Sequence, residues 1–162
     1  SKLSLKVKDL DLVIVGKSGW DYEPIYTEPK KFGVAGKVKF IGRVGDLELP
    51  ALYSAAKAFV FPSLFEGFGL PLLEAMACKC PVIASDIGSH REIVRKPDSD
   101  KLEAGILVKG FDSEEWSHVL YQSITNANKM HRLASVGFVR SCDFGWDEAA
   151  LRTIKVFKSV LE

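Results

Sequence analysis

A doubly wound α/β fold, a parallel sheet flanked by helices with further helices at the C-terminus, is predicted by three observations. Short apolar runs of strand length recur at 12–16 (LVIVG), 38–42 (VKFIG), 58–62 (AFVFP), 81–85 (PVIAS) and 105–108 (GILV). Most do not alternate with polar residues, which marks strands buried on both faces. Helical candidates separate them, and after the last run only amphipathic segments follow.

The first run ends at Gly16, and the turn 16–20 (GKSGW) falls at the strand's C-terminal edge, where sheets of this kind bind ligands. VIVGKSG is similar to the end of a phosphate-binding P-loop, but the motif needs glycine where Asp11 stands. Lys17 is therefore either solvated or within reach of a phosphate. A weakly periodic helix is expected over 24–32 and a stronger one over 49–57. The 71–78 segment is strongly helical, and Pro71 suits a first turn, where its missing N–H costs nothing. A short helix is expected over 90–95, then a polar, flexible loop over 96–103 carrying Pro97. Three amphipathic helices close the chain at 113–124, 129–140 and 147–161. Asp112 or Ser113 caps the first of them. Trp116, Leu120 and Ile124 share one face of it, and Leu151, Ile154 and Leu161 mark the buried side of the last.

The 162 residues, 47% of them apolar, make one domain over 1–162 with room for a core. A net charge of +1, with 22 basic and 21 acidic residues well mixed, leaves no electrostatic footprint for nucleic acid. No apolar stretch approaches the roughly 20 residues of a membrane span, and SKLSLKVKDLD has no signal-peptide core. The cysteines at 78, 80 and 142, an odd number, point to a reducing cytoplasm. They are expected as buried or half-buried free thiols rather than zinc ligands, and no metal site is expected. His118 and His131 fall on amphipathic helices as surface or boundary residues. His90, beside Gly88 and Ser89 after a strand, is nearer the ligand edge.

The chemistry concentrates in FPSLFEGFGLPLLEAMACKCPVIAS, which reads as strand, loop, helix and strand. Glu66 and Glu74 stand eight positions apart around Gly67, Gly69 and Pro71. The glycines let backbone approach a ligand. Free N–H groups and a positive helix end suit phosphate, and the carboxylates suit hydroxyls. Glu74 is the only charge between Gly67 and Cys78. Its helix is expected to be covered on most faces, and its carboxylate to need a partner such as a ribose diol. The combination points to a nucleotide joined to a sugar.

From 38 to 94, VKFIGRVGDLELPALYSAAKAFVFPSLFEGFGLPLLEAMACKCPVIASDIGSHREIV resembles the C-terminal, donor-binding half of retaining GT-B glycosyltransferases of the group 1 type (family 4). The resemblance continues through AGILV and the FGWDEAALRTIKVFKSVLE tail, covering roughly residues 10–160. It implies a Rossmann-like half of a GT-B architecture that binds a GDP- or UDP-sugar for retaining hexosyl transfer. Under it, Glu66 holds the donor sugar and is the catalytic-site carboxylate, as a positioner rather than a nucleophile. Glu74 holds the ribose hydroxyls. The backbone at Gly67, Phe68, Gly69 and Leu70 meets sugar and pyrophosphate, Gly42, Arg43 and Val44 flank the base, and Gly16 and Lys17 complete the donor edge. Neither metal nor cofactor is implied, and front-face displacement is the expected chemistry.

The chain departs from that pattern in five respects. Lys79 stands where the family has glycine. The stretch around 96–103 is longer than usual, and Ser89, His90 and Arg91 replace the usual small-residue and proline approach to Glu92. Nothing before Asp11 resembles the basic segment that meets pyrophosphate, and the acceptor-binding half is absent. The chain is therefore expected to be inactive alone, its acceptor domain supplied in cis or in trans. Membrane contact through that missing half would keep the protein cytoplasmic and peripheral at the inner face. A non-catalytic nucleotide-sugar-binding or scaffold domain of the same fold is the rival reading.

Overall fold

A computed structural model describes residues 3, 7, 9–95 and 103–161. The strands are β1 (Leu12–Val15), β2 (Val38–Gly42), β3 (Phe59–Phe61), β4 (Val82–Ser85) and β5 (Ile106–Val108). The helices are α1 (Glu23–Lys31), α2 (Leu49–Ala55), α3 (Leu70–Ala77), α4 (Gly88–Val94), α5 (Ser113–Ile124), α6 (Ala127–Ser141) and α7 (Trp146–Leu161). Every strand lies inside its expected run, and each helix falls within two residues of its expected span. The fold is α/β and Rossmann-like, with all strand pairs parallel.

The strands form two ladders rather than one continuous sheet, β1-β2 and β3-β4-β5. Among the described residues, β1 and β3 each keep one edge unpaired.

Core packing follows from period-two alternation along β4. Val82 and Ala84 join Leu72, Ala75, Met76, Ile93 and Val94 on the face covered by α3 and α4. Ile83 joins Val108, Trp116, Met130 and Leu133 on the face covered by α5 and α6. Helices on both faces make β4 buried throughout, as its unbroken apolar run requires.

Two regions differ from expectation. Leu12, Val13 and Val15 of β1 are exposed, and α1 buries none of its residues. A two-stranded ladder with that one helix cannot cover both faces. Leu151, Ile154 and Leu161 of α7 are likewise exposed, because no described element packs on them.

Local chemistry explains the helix ends. Asp112 is the cap of α5, its Oδ2 accepting from the N–H groups of Glu114 (2.9 Å) and Glu115 (3.0 Å). Beyond α3, Lys79 adopts φ 56°, the left-handed turn that favours glycine. Its ammonium sits 4.9 Å from the centre of the Phe138 ring, a cation–π contact that compensates part of that strain. Most of the expected 96–103 loop lies outside the described residues; Glu103 at its end pairs loosely with Arg95.

The thiols are unequal: Cys80 is buried, Cys78 half-buried and Cys142 exposed, the last against expectation. Cys142 follows α6 on its outer surface, which sets its exposure. Burial pushes the Cys80 thiol from 9.0 up to about 11, partly offset by a hydrogen bond from the Phe59 backbone. The folded state thus keeps a proton that the unfolded chain releases. The stabilisation is complete below the unfolded value and is lost as pH rises through the folded one. Unfolding free energy should fall by about 2 kcal/mol between pH 9 and 11 on account of Cys80. Urea titrations of wild type and Cys80→Ala across that range will show it, with a shallower decline in the variant. Equal declines would remove Cys80 as the cause.

Candidate functional site

The site residues gather where strands end. Within each ladder the parallel strands point the same way, so Gly16 and Gly42 leave one edge together and Pro62, Asp86 and Lys109 leave the other. The Gly16 N–H donates to the Gly42 carbonyl at 2.8 Å. Gly42 turns with φ 69°, which carries Arg43 and Val44 away from β2. Gly16, Lys17 and Gly42 line a cleft of about 80 Å³ with Tyr22, Tyr26 and Phe40. Lys17 and Arg43 are exposed and Val44 is half-buried.

The β3–α3 connection is the centre. After Phe61 the chain runs through Ser63 and Glu66 to Gly69, whose φ 108° and ψ 42° start α3. A Cβ at Gly69 would meet Ile93 Cδ1 at 3.2 Å and His90 Cδ2 at 3.4 Å, whereas one at Gly67 would meet nothing within 4 Å. Glycine at 69 is therefore demanded by the fold itself, on the inner side of the turn, and Gly67 leaves open space on the outer. Pro71 lies in the first turn and has no N–H to satisfy. Among the described residues the N–H groups of Phe68, Gly69 and Leu70 have no protein acceptor. They stand at the positive end of an eight-residue helix. Phe68 and Leu70 are half-exposed there, and Phe68 packs edge-on against Phe144 with ring centres 6.1 Å apart.

The two carboxylates have separate partners. Glu66 is half-buried, and its Oε1 accepts from the Ser63 hydroxyl at 3.1 Å, which pins the loop before the glycines. Glu74 lies one turn into α3 and its Oε2 accepts from the Tyr53 hydroxyl at 3.2 Å. The α3 helix buries Leu72, Ala75 and Met76 but exposes Leu70, Glu74 and Ala77. The expectation that it is covered on most faces is thus corrected: Glu74 occupies an exposed stripe, and Tyr53 supplies a protein donor to its carboxylate.

Tyr53, Asp86, Arg91 and the setting of His90 were not legible in the sequence. Tyr53 is buried on α2, and its phenol is held above its ordinary value by burial first and the Glu74 charge second. It heads a row of rings under α3: Tyr53 on Phe59 (5.3 Å), Phe59 on Phe61 (5.5 Å) and Phe61 on His90 (5.3 Å). The i, i+2 spacing of Phe59 and Phe61 on one strand face was the available signal. Arg91 Nε donates to Asp86 Oδ1 at 2.5 Å, and that bond holds the largely buried Asp86 carboxyl below its usual range. His90 is completely buried, whereas His118 and His131 are exposed. A concavity of about 620 Å³ lies where α5 meets α6 and contains no residue of the β3–α3 site.

Comparison with known proteins agrees with this architecture. The family model described as glycosyl transferases group 1 matches residues 1–138. O-antigen chain mannosyltransferase B of Escherichia coli is 32% identical over 147 residues, covering 91% of this chain. The chain spans only 37% of that enzyme's length. Sucrose-phosphate synthase from Thermosynechococcus elongatus superposes with a TM-score of 0.84 at 26% identity, over 98% of this chain and 40% of that one. The C-terminal domain of a group 1 family glycosyl transferase from Francisella tularensis superposes with a TM-score of 0.72 at 28% identity, over 88% of this chain and 75% of that domain.

Proposed function

Because this chain belongs to the group 1 glycosyl transferases, we propose that it is the donor-binding half of a two-domain GT-B enzyme, folded as one unit over residues 1–162. It holds a nucleoside-diphosphate sugar for retaining hexosyl transfer. The observation that carries this reading is the Gly69 turn, which leaves the N–H groups of Phe68, Gly69 and Leu70 without acceptors among the described residues, in the stretch from Glu66 to Glu74. A diphosphate leaving group develops charge at that helix end, and fixed dipoles stabilise it without reorganising. Neither metal nor cofactor is needed in this scheme.

Glu66 positions the donor hexose and Glu74 takes the ribose hydroxyls, with Tyr53 orienting its carboxylate. Phe68 and Leu70 flank sugar and pyrophosphate, while Gly16, Lys17, Gly42, Arg43 and Val44 border the nucleotide. The likeness to a C-terminal domain, and coverage of about a third of curated relatives, support an acceptor domain elsewhere in cis or in trans. On this reading the whole protein is cytoplasmic, and any inner-membrane contact runs through the acceptor half.

Isothermal titration of the chain with GDP and UDP tests the assignment. Wild type should bind one of them, and Glu74→Ala should weaken it about tenfold, the loss of a charged hydrogen-bond acceptor for the ribose. Tyr53→Phe keeps the carboxylate and should change binding less. Absence of binding to either nucleotide by folded wild type would sink the donor-site reading.

The rival reading is a non-catalytic nucleotide-sugar-binding or scaffold domain of the same fold. Sugar transfer by the whole protein that is unchanged in Glu66→Ala and Glu74→Ala would support it.

A further inference from the structure

His90 has a place in the donor site that its burial conceals. Its Nδ1 lies 2.9 Å from the Ser85 carbonyl oxygen. A carbonyl only accepts, so Nδ1 carries the proton, and in the neutral ring Nε2 is left as an acceptor. That nitrogen is buried and has no partner among the described residues, and the hydroxyls of Ser85 and Ser89 nearby in sequence share this state. The ring lies against Gly69, since a Cβ at 69 would meet its Cδ2 at 3.4 Å, and Phe61 packs on it with ring centres 5.3 Å apart. The Nδ1 bond to Ser85 accounts for one side of the imidazole, but nothing in the packing accounts for the acceptor left at Nε2. Buried polar atoms without partners are rare in native proteins and call for a cause.

We propose that His90 is a positioning residue for donor binding: Nε2 is kept for an O–H donor that arrives with the nucleotide sugar, and the ring beneath Gly69 sets the 67–70 turn to receive it. This rests on the donor-binding reading above. The O–H group is either a hexose hydroxyl or a water that becomes ordered under the turn when the nucleotide binds. Both engage the same lone pair, and both tie the buried floor to the phosphate-facing N–H groups above it.

The test uses the 162-residue chain with His90→Leu and His90→Gln, titrated with GDP, UDP, GDP-mannose and UDP-glucose alongside thermal unfolding. His90→Leu gives up the Nδ1 hydrogen bond to Ser85 together with the orphaned Nε2, two opposing effects that should leave its unfolding temperature within a few degrees of wild type, yet it should bind roughly three- to tenfold more weakly. Weakening for the nucleotide sugar alone identifies the hexose hydroxyl; equal weakening for the bare diphosphate identifies the ordered water. His90→Gln keeps an acceptor near the Nε2 position and should restore affinity to within about twofold. Binding by His90→Leu equal to wild type overturns the proposal. No binding by wild type overturns the donor reading and this proposal with it, so the two failures are distinct. Nitrogen-15 spectra of the wild-type imidazole decide the matter even if His90→Leu does not fold. The Nε2 resonance should move on saturation with ligand while Nδ1 stays protonated, and an unmoved Nε2 signal refutes the role.

Discussion

Replacing Glu66 by glutamine in the whole enzyme should lower kcat for sugar transfer by about 100-fold or more. The donor KM should change much less. Glutamine is nearly isosteric and keeps an oxygen for the Ser63 hydroxyl, which is 3.1 Å from Oε1. The loop before Gly67 should therefore hold its shape, and the loss can be assigned to charge. A carboxylate that grips sugar hydroxyls as the anomeric centre becomes electron-poor binds the transition state more tightly than the ground state. Bare GDP or UDP carries no hexose, so nucleotide affinity should be unchanged in Glu66→Gln, in contrast to Glu74→Ala. Ser63→Ala should cost only a few-fold in kcat, because it loosens the carboxylate without removing it. Steady-state kinetics with saturating acceptor will decide: a kcat for Glu66→Gln within about threefold of wild type would exclude Glu66 from the transition state.

The second large effect is on stability. Gly69→Ala should destabilise the chain by roughly 3 kcal/mol and lower the melting temperature by about 8 °C. One part is conformational, since φ 108° with ψ 42° lies outside the region that residues with a Cβ tolerate. The other is steric, because the added carbon would press on Ile93 at 3.2 Å and His90 at 3.4 Å, both completely buried and with little room to move. Gly67→Ala is the matched control: its Cβ would enter open space, and its stability should stay within about 0.5 kcal/mol of wild type. Equal destabilisation by both substitutions would contradict the geometric account. Among chains that remain folded, Gly69→Ala should also bind nucleotide more weakly, since moving this residue redirects the N–H groups that follow it.

The strands and helices were readable because each is a local pattern. The unbroken apolar PVIAS run could only be a strand with both faces covered, and Val82–Ser85 is that strand. The Glu66–Gly69–Glu74 spacing located the loop and the helix start for the same reason: glycine freedom, proline placement and helix polarity act within a few residues. Glu74 shows where local reasoning stops. Its apolar neighbours in sequence suggested burial, but α3 has 3.6 residues per turn, and Leu72, Ala75 and Met76 are its buried side while Glu74 is exposed. The hydrogen bond from Tyr53 spans 21 residues and depends on how α2 packs against α3. No pattern in either segment encodes it.

The sequence by itself determined the α/β class, the order of its elements, the family, and the two carboxylates that flank a glycine turn. All of these rest on periodicity, backbone preference and motif spacing, which are properties of short stretches. Only the tertiary structure decided that the strands lie in two ladders with open edges at β1 and β3, that α7 keeps its apolar face exposed, and that Gly69 is fixed from below by Ile93 and His90. These depend on contacts between segments distant in the chain. Burial and hydrogen-bond partners are set by what packs against a residue, and that is settled when the elements meet.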